Sequence, residues 1–231
     1  MNYGYAATDA DADEPEVSAE DPDKLCIQLY LRAIDGTDLA GKDVLEVGSG
    51  RGGGAAYITR SLSPRSMIGL DFSGEAVELC NRHRRLPGLA FVRGDALSMP
   101  FPDASFDAVV NIESSHCYED MNLFLSEVHR VLRPGGRFFF ADLRSAEGAG
   151  ELRAELESCG LSVVQVTDIS PNVVAALRLD NERKLRLIEE LIPRIVRRPM
   201  RVLAGTRGTM NYRRLESGTW SYLTAHLLKP T

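Results

Sequence analysis

Four polar residues each stand just past a short apolar run and could touch a ligand: Asp71 after residues 67–70, Asp95 after 89–93, Asn111 after 106–110 and Asp142 after 137–141. A fifth, Glu46, interrupts the run 44–47. A carboxylate placed like Asp71 can accept hydrogen bonds from both hydroxyls of a ribose and would repel a 2′-phosphate. Asp95 could accept from an exocyclic adenine amino group. His116 carries a ring whose ordinary pKa lies near neutrality, so it is the candidate general base. Asp142 could orient that ring and stabilise its cation. Each of these also has a plain reading as a helix cap or turn residue. Residues 44–54, Val-Leu-Glu-Val-Gly-Ser-Gly-Arg-Gly-Gly-Gly, run from an apolar segment into a glycine loop that lets backbone N–H groups approach a ligand. Gly48, Gly50 and Gly53 fit a G-x-G-x-x-G dinucleotide pattern, and Gly48, Gly50 and Gly52 fit G-x-G-x-G. Glu46 separates the two: it would be unhelpful beside a pyrophosphate and welcome beside a ligand bearing an ammonium and a sulfonium.

The elements that must hold these residues alternate along the chain. Strands are expected at 44–47, 67–70, 89–93, 106–110, 137–141, 161–166 and 220–228. Helices are expected at about 22–34 (burying Leu25, Leu29 and Tyr30, with Asp21 and Pro22 opening it), 53–61, 73–85 with Ser73 as cap, 121–132, 147–158, 171–192 and 208–216. Short apolar strands bounded by turn residues imply a buried parallel sheet covered by helices on both faces, with ligands at the carboxyl ends of the strands. Ahead of this, residues 1–7 carry Tyr3 and Tyr5, an aromatic flap or a frayed end, and residues 9–23 form an acidic connector. Residues 170–217 are too long for a simple connection and read as a helical lid. Leu177, Leu179, Leu185, Ile188, Leu191 and Ile192 give that segment apolar surface for the sheet, a hydrophobic acceptor or a second subunit.

The net charge of −6 argues against nucleic acid as the main partner. The clusters 82–85 and 194–201 are solvated faces or local anion contacts. No apolar run approaches the roughly 18 residues of a membrane span, and the N-terminus lacks a basic and an apolar signal region. Cys26, Cys80, Cys117 and Cys159 are widely spaced and read as reduced thiols, so a cytoplasmic location is expected.

In order and separation, Glu46-Val47-Gly48-Ser49-Gly50-Arg51-Gly52, Asp71, Gly94-Asp95-Ala96, residues 101–107 and Leu132-Arg133-Pro134-Gly135-Gly136 resemble the motif set of the class I S-adenosylmethionine (SAM)-dependent methyltransferases. The resemblance covers residues 41–143. It implies an α/β, Rossmann-like doubly wound seven-strand sheet whose last strand, 220–228, is antiparallel. It makes residues 41–231 the methyltransferase domain behind an N-terminal region 1–40, with SAM as cofactor and S-adenosylhomocysteine as product. Cofactor contacts are then expected from Tyr5, Glu46, Gly48, Ser49, Gly50, Gly52, Asp71, Phe72, Gly94, Asp95, Ala96 and Asn111. Residues 111–118, the opening tyrosines and residues 208–223 are similar to small-molecule O-methyltransferases of the phthiotriolone and polyketide type. That similarity implies His116 and Asp142 as catalytic residues, Glu113, His116 and Tyr118 as acceptor contacts, and an apolar hydroxylated small-molecule acceptor; Asn111 and Glu113 lack a convincing third ligand beside them, so no metal is expected. A homodimer, N- or C-methylation, a non-catalytic SAM-binding module and a nicotinamide-dependent dehydrogenase remain open at this point.

Overall fold

The computed structural model describes residues 2–8, 17–18 and 20–231; most of the acidic connector lies outside the described residues. Helix α1 (Lys24–Ile34) leads to the alternating core: β1 (Asp43–Val47), α2 (Gly53–Leu62), β2 (Ser66–Asp71), α3 (Gly74–His83), β3 (Leu89–Arg93), β4 (Phe106–Ile112), a 3-10 turn (Ser115–Cys117), α4 (Met121–Val131), β5 (Leu132–Ser145), α5 (Ala146–Ser158) and β6 (Ser162–Asp168). Then come α6 (Ser170–Leu179), α7 (Asn181–Leu191), a second 3-10 turn (Arg194–Val196), α8 (Arg197–Leu203), α9 (Met210–Glu216) and β7 (Trp220–Leu228). The seven strands form one sheet in the order β3-β2-β1-β4-β5-β7-β6. β7 runs antiparallel to both β5 and β6, and the pairs among β1 to β5 are parallel. This is the expected α/β architecture.

The two-residue period of a strand explains why both faces are covered. Val44 of β1 joins one apolar cluster and Leu45 and Val47 join the other; Phe139 of β5 goes with Val44, and Phe138 and Phe140 go with Leu45. On the first face Leu29 of α1, Ile58 of α2, Val77 of α3, Leu177 of α6 and Leu215 of α9 close the cluster. On the second, Phe124 and Val128 of α4 and Leu152 and Leu156 of α5 do so.

Four boundaries differ from expectation, two of them at the site. β4 and β5 run further, so Asn111 lies inside β4 and Asp142 inside β5. The cause is pairing: Arg144 and Ser145 stay in register with Ser221 and Trp220 of β7, which the isolated apolar run could not reveal. The expected helix 171–192 is broken at Asp180, which ends α6 and precedes α7. Its carboxylate takes both Arg183 Nε and Nη2, an i,i+3 pair on the first turn of α7. At α1 the helix starts at Lys24, because Asp21 Oδ1 accepts the Asp23 N–H at 2.8 Å in a turn ahead of it. Leu25 and Tyr30 are only partly covered as whole residues, while Ile27, Leu29, Ala33 and Ile34 are buried. Ser73 caps α3 as expected, accepting from Ala76 N–H. Among the described residues no helix is long and apolar enough to cross a membrane, and all four cysteines are free.

Candidate active site

A cleft of about 570 Å³ opens over the carboxyl ends of β1, β2 and β4, within the size range of small-molecule sites. Of the residues singled out in the sequence, Gly48, Gly50, Asp71, Phe72, Gly94, Asp95, Ala96, Glu113 and Tyr118 line it. Val47, Leu70, Leu97, Ser114, Cys117 and Glu119 line it too, without having been expected. Tyr5, Glu46, Ser49, Gly52, Asn111, His116 and Asp142 are not part of its lining.

At the glycine loop, Gly48 and Ser49 both donate to Leu70 O, at 2.8 and 3.0 Å. Gly48 has φ of 77°, and a Cβ there would fall 1.9 Å from Ser114 Oγ, so only glycine lets the loop after β4 close over β1. Gly52 is a packing residue: its Cβ would meet the Phe91 ring at 2.5 Å and Cys80 Sγ at 3.0 Å. Asp71 accepts from Gly50 N–H at 2.7 Å through Oδ2 and from Ser73 N–H at 2.9 Å through Oδ1. A carboxylate has about four lone-pair sites, so two stay available to a diol. Phe72 beside it is 71% exposed, an unusual cost for an aromatic ring unless a flat ligand covers it. Asp95 Oδ1 accepts from Leu97 N–H at 2.9 Å.

Glu46 is placed differently from expectation. It is fully buried; Oε1 accepts from Tyr30 OH at 2.5 Å and Oε2 from Ala55 N–H at 3.0 Å. The carboxylate thus ties α1 to β1 and sits at the positive end of α2. Burial pushes its carboxyl up to about 7, against the pull of those two hydrogen bonds. Asn111 ties β4 to its neighbour, its Nδ2 donating to Val47 O at 2.9 Å and to Tyr118 OH at 3.1 Å. Tyr118 OH also bonds Ser114 Oγ at 2.7 Å, and burial pushes its phenol up to about 12. Two buried polar atoms beside the cleft, Ser49 Oγ and Asn111 Oδ1, have no hydrogen-bond partner among the described residues.

Glu113, just past β4, has φ of 49° and orients its carboxylate away from the strand. Its Oε1 accepts from Tyr3 N–H at 2.6 Å and from Tyr222 OH at 2.8 Å, and burial pushes its carboxyl up to about 7. The N-terminal residues are held by this contact and others: Tyr5 N–H donates to Leu25 O, and Tyr3 OH accepts from Asn211 of α9 at 3.0 Å. Tyr3 and Tyr5 are buried.

His116 and Asp142 are brought together. His116 Nδ1 lies 2.7 Å from Asp142 Oδ1. Asp142 Oδ2 accepts from Ser115 Oγ at 2.7 Å and His116 N–H at 2.8 Å, and Oδ1 also accepts from Leu143 N–H. Arg144 Nη1 stands 3.1 Å from Oδ2, and its Nη2 donates to Ser115 Oγ at 2.7 Å. Burial alone would raise the Asp142 carboxyl; the His116 bond and charge, with Arg144 and Ser115, outweigh it and hold the group below the usual range. The Asp142 hydrogen bond in turn raises the His116 imidazole above its ordinary value. The His116 side chain is 38% exposed and Asp142 0%, so the pair has one dry end and one end open beside the cleft residues Ser114 and Cys117. Arg144 and Ser115 were missed in the sequence. Arg144 had a signal, since it is two residues past Asp142 and shares its face once the strand continues.

A family profile described as a methyltransferase domain matches residues 45–140. A phthiotriol/phenolphthiotriol dimycocerosates methyltransferase of Mycobacterium tuberculosis is 41% identical over 222 residues, 96% of this chain and 82% of that one. A fatty-acid O-methyltransferase of Mycolicibacterium smegmatis is 35% identical over 230 residues, covering 100% of this chain and 83% of that protein. The crystal structure of a sarcosine dimethylglycine methyltransferase from Galdieria sulphuraria superposes with a TM-score of 0.77 at 15% identity, over 99% of this chain and 93% of that one. The chain belongs to the SAM-dependent methyltransferases, and SAM is its cofactor. The loop cradle, the free lone pairs of Asp71, the exposed Phe72 and the orphaned Ser49 Oγ and Asn111 Oδ1 fit such a ligand.

Proposed function

We propose that the enzyme methylates a hydroxyl on an apolar, lipid- or polyketide-like small molecule, with His116 as general base and Asp142 as its orienting partner. The observation that carries the reading is the 2.7 Å contact of His116 Nδ1 with the buried Asp142 carboxylate. It commits Nδ1 to Asp142 as N–H donor and leaves Nε2 as the ring nitrogen able to take a proton. Asp71 would hold the ribose, Asp95 the adenine amino group, Phe72 the adenine face, and the Gly48–Gly50 backbone the amino-acid end. Bound there, SAM supplies an electrophilic methyl on a sulfonium, open to in-line attack. His116 removes the hydroxyl proton as the oxygen becomes the nucleophile, and Asp142 and Arg144 fix the ring without leaving the site uncompensated in charge. Residues 2–8 and the lid 170–217 exclude water: Tyr3 bonds Asn211, and Asn172 Nδ2 donates to Ala6 O at 3.0 Å.

The names of the two mycobacterial relatives support a lipid-like acceptor. One is named for a fatty acid, which raises carboxyl methylation as a second reading. The cleft lining carries Asp71, Asp95, Glu113 and Glu119 and, among the described residues, no lysine or arginine, which opposes an anionic acceptor and favours a neutral alcohol. The test is turnover of a long-chain alcohol and the matching carboxylic acid by the wild type and by His116→Ala, with the methylated atom assigned by NMR. Methyl ether formation that collapses in the variant is expected. Full turnover by His116→Ala, or methyl on nitrogen or carbon, overturns the proposal.

A further inference from the structure

Between residues 191 and 215 the chain carries seven arginines and no aspartate or glutamate, although its net charge is −6. The same stretch contains large apolar side chains left open to water: Leu191 at 71%, Ile195 at 90%, Val196 at 43% and Leu203 at 66% exposed. These residues sit at the end of α7, in the 3-10 turn that follows and at the end of α8. The turn is built, not loose: Arg197 Nε donates to Ile192 O at 2.9 Å and its Nη2 to Glu189 O, closing the end of α7. Arg201 pairs with Glu189 at 3.2 Å, which neutralises the acid facing the turn. Arg194 and Arg198 are exposed, and neither pairs with a carboxylate among the described residues.

We propose that this turn, Leu191 to Leu203, docks the enzyme on an anionic lipid surface. Exposed aliphatic side chains interleaved with arginines and free of acids match what a bilayer interface binds: apolar groups enter the acyl boundary while cations meet anionic headgroups. A second copy of the chain is a poor occupant, because the like charges of two such faces repel. An acidic protein would satisfy the arginines but gives no reason for aliphatic groups exposed this far. The docking element reaches the cleft through a short chain of contacts. Lys184 of α7 donates to Ala204 O at 3.3 Å and lies 5.8 Å from the centre of the Tyr3 ring, and Tyr3 N–H is held by Glu113 in the cleft wall. Docking there would set the covering segments against the phase in which an apolar acceptor dissolves. The surface property itself holds whichever atom receives the methyl group, so vesicle binding tests it apart from the proposed reaction.

The experiment is co-sedimentation of the full chain with vesicles of phosphatidylcholine alone and with about one-third phosphatidylglycerol. Binding to the anionic vesicles should be at least roughly tenfold tighter and should weaken as salt is raised. Ile195→Asp with Leu203→Asp, and separately Arg194→Glu with Arg198→Glu, should each weaken it roughly tenfold or more. SAM affinity measured by calorimetry should stay at the wild-type value in both, which reports that they are folded. Equal binding to both vesicle types overturns the proposal. So does wild-type binding by either double variant, or capture by a polyglutamate matrix with no binding to vesicles.

Discussion

Asp142→Asn tests the catalytic pair most directly, because the structure dictates which way the amide must face. Asp142 Oδ2 receives Ser115 Oγ, His116 N–H and the Arg144 guanidinium, whereas Oδ1 receives His116 Nδ1 and Leu143 N–H. An asparagine has one acceptor oxygen and one NH2, so the oxygen takes the more crowded side and the NH2 turns toward His116 Nδ1. That NH2 donates to Nδ1 and drives the ring proton onto Nε2, the nitrogen required to accept a proton. Leu143 N–H loses its acceptor, at about 1–3 kcal/mol of stability. Loss of general-base assistance lowers kcat by roughly 10²–10⁴-fold, while KM for SAM stays near the wild-type value because Asp142 does not line the cleft. The pH profile adds a second readout. In the proposed reaction His116 acts as its neutral form, and the Asp142 bond raises its pKa, so wild-type activity is expected to fall on the acid side of a value above the ordinary 6.5. Without the carboxylate that limb moves to lower pH as the plateau drops. The assay is steady-state kcat for methyl transfer between pH 5.5 and 9, with thermal unfolding to verify folding. A variant with the wild-type plateau and the wild-type acid limb would refute the reasoning.

Asp71→Ala should weaken SAM by on the order of 100-fold, the loss of two hydrogen bonds to a charged acceptor; calorimetry giving a Kd within twofold of wild type contradicts that role. Glu46→Gln probes the buried carboxylate. Burial raises its pKa from 4.5 to about 7, so the folded state holds an extra proton between those values. Its favourable contribution relative to the unfolded chain is complete below about 4.5 and is lost as pH rises to about 7. The amide should therefore gain stability over wild type at pH 8 compared with pH 5, by up to about 3 kcal/mol in urea unfolding; no pH dependence of the difference counts against it. Gly52→Ala, whose Cβ meets Phe91 at 2.5 Å at a φ of 67°, should cost about 1–3 kcal/mol in the same assay, and a neutral result would mean that the ring gives way freely.

The alternation of strands and helices was legible because β1 to β5 are buried on both faces and therefore read as continuous apolar runs between turn residues. The same property hid their ends. Asp142 and Asn111 looked like the residues after a strand because apolar character stops there, yet hydrogen bonding to β7 carries β5 to Ser145. That partner lies about eighty residues away in sequence, so no local pattern reports it. Arg144, which holds Asp142 and Ser115 together, becomes legible only once β5 is known to continue past Asp142. Asp180 was hidden for another: apolar periodicity is unchanged across it, so nothing in the pattern marks the junction of α6 and α7 there.

Glu46 shows that residue chemistry alone does not report which partners a side chain takes within the fold. In sequence, a carboxylate next to a glycine loop is a charge offered to a ligand, and that reasoning preferred an ammonium-bearing cofactor over a dinucleotide. In the fold the carboxylate is taken by Tyr30 OH and the start of α2, and burial brings its pKa close to neutrality. The preference for SAM then rests on other residues: Asp71 with two lone pairs to spare, the exposed ring of Phe72, and the polar atoms of Ser49 and Asn111 left without partners. Glu113 follows the same logic with the opposite position. It too is raised to about 7 by desolvation, but it is only half-buried, lines the cleft and latches Tyr3 and Tyr222 through one oxygen. One carboxylate of the cleft lining thus ties the N-terminal residues to β7. No spacing rule in the sequence distinguishes that role from the one Glu46 plays one strand away.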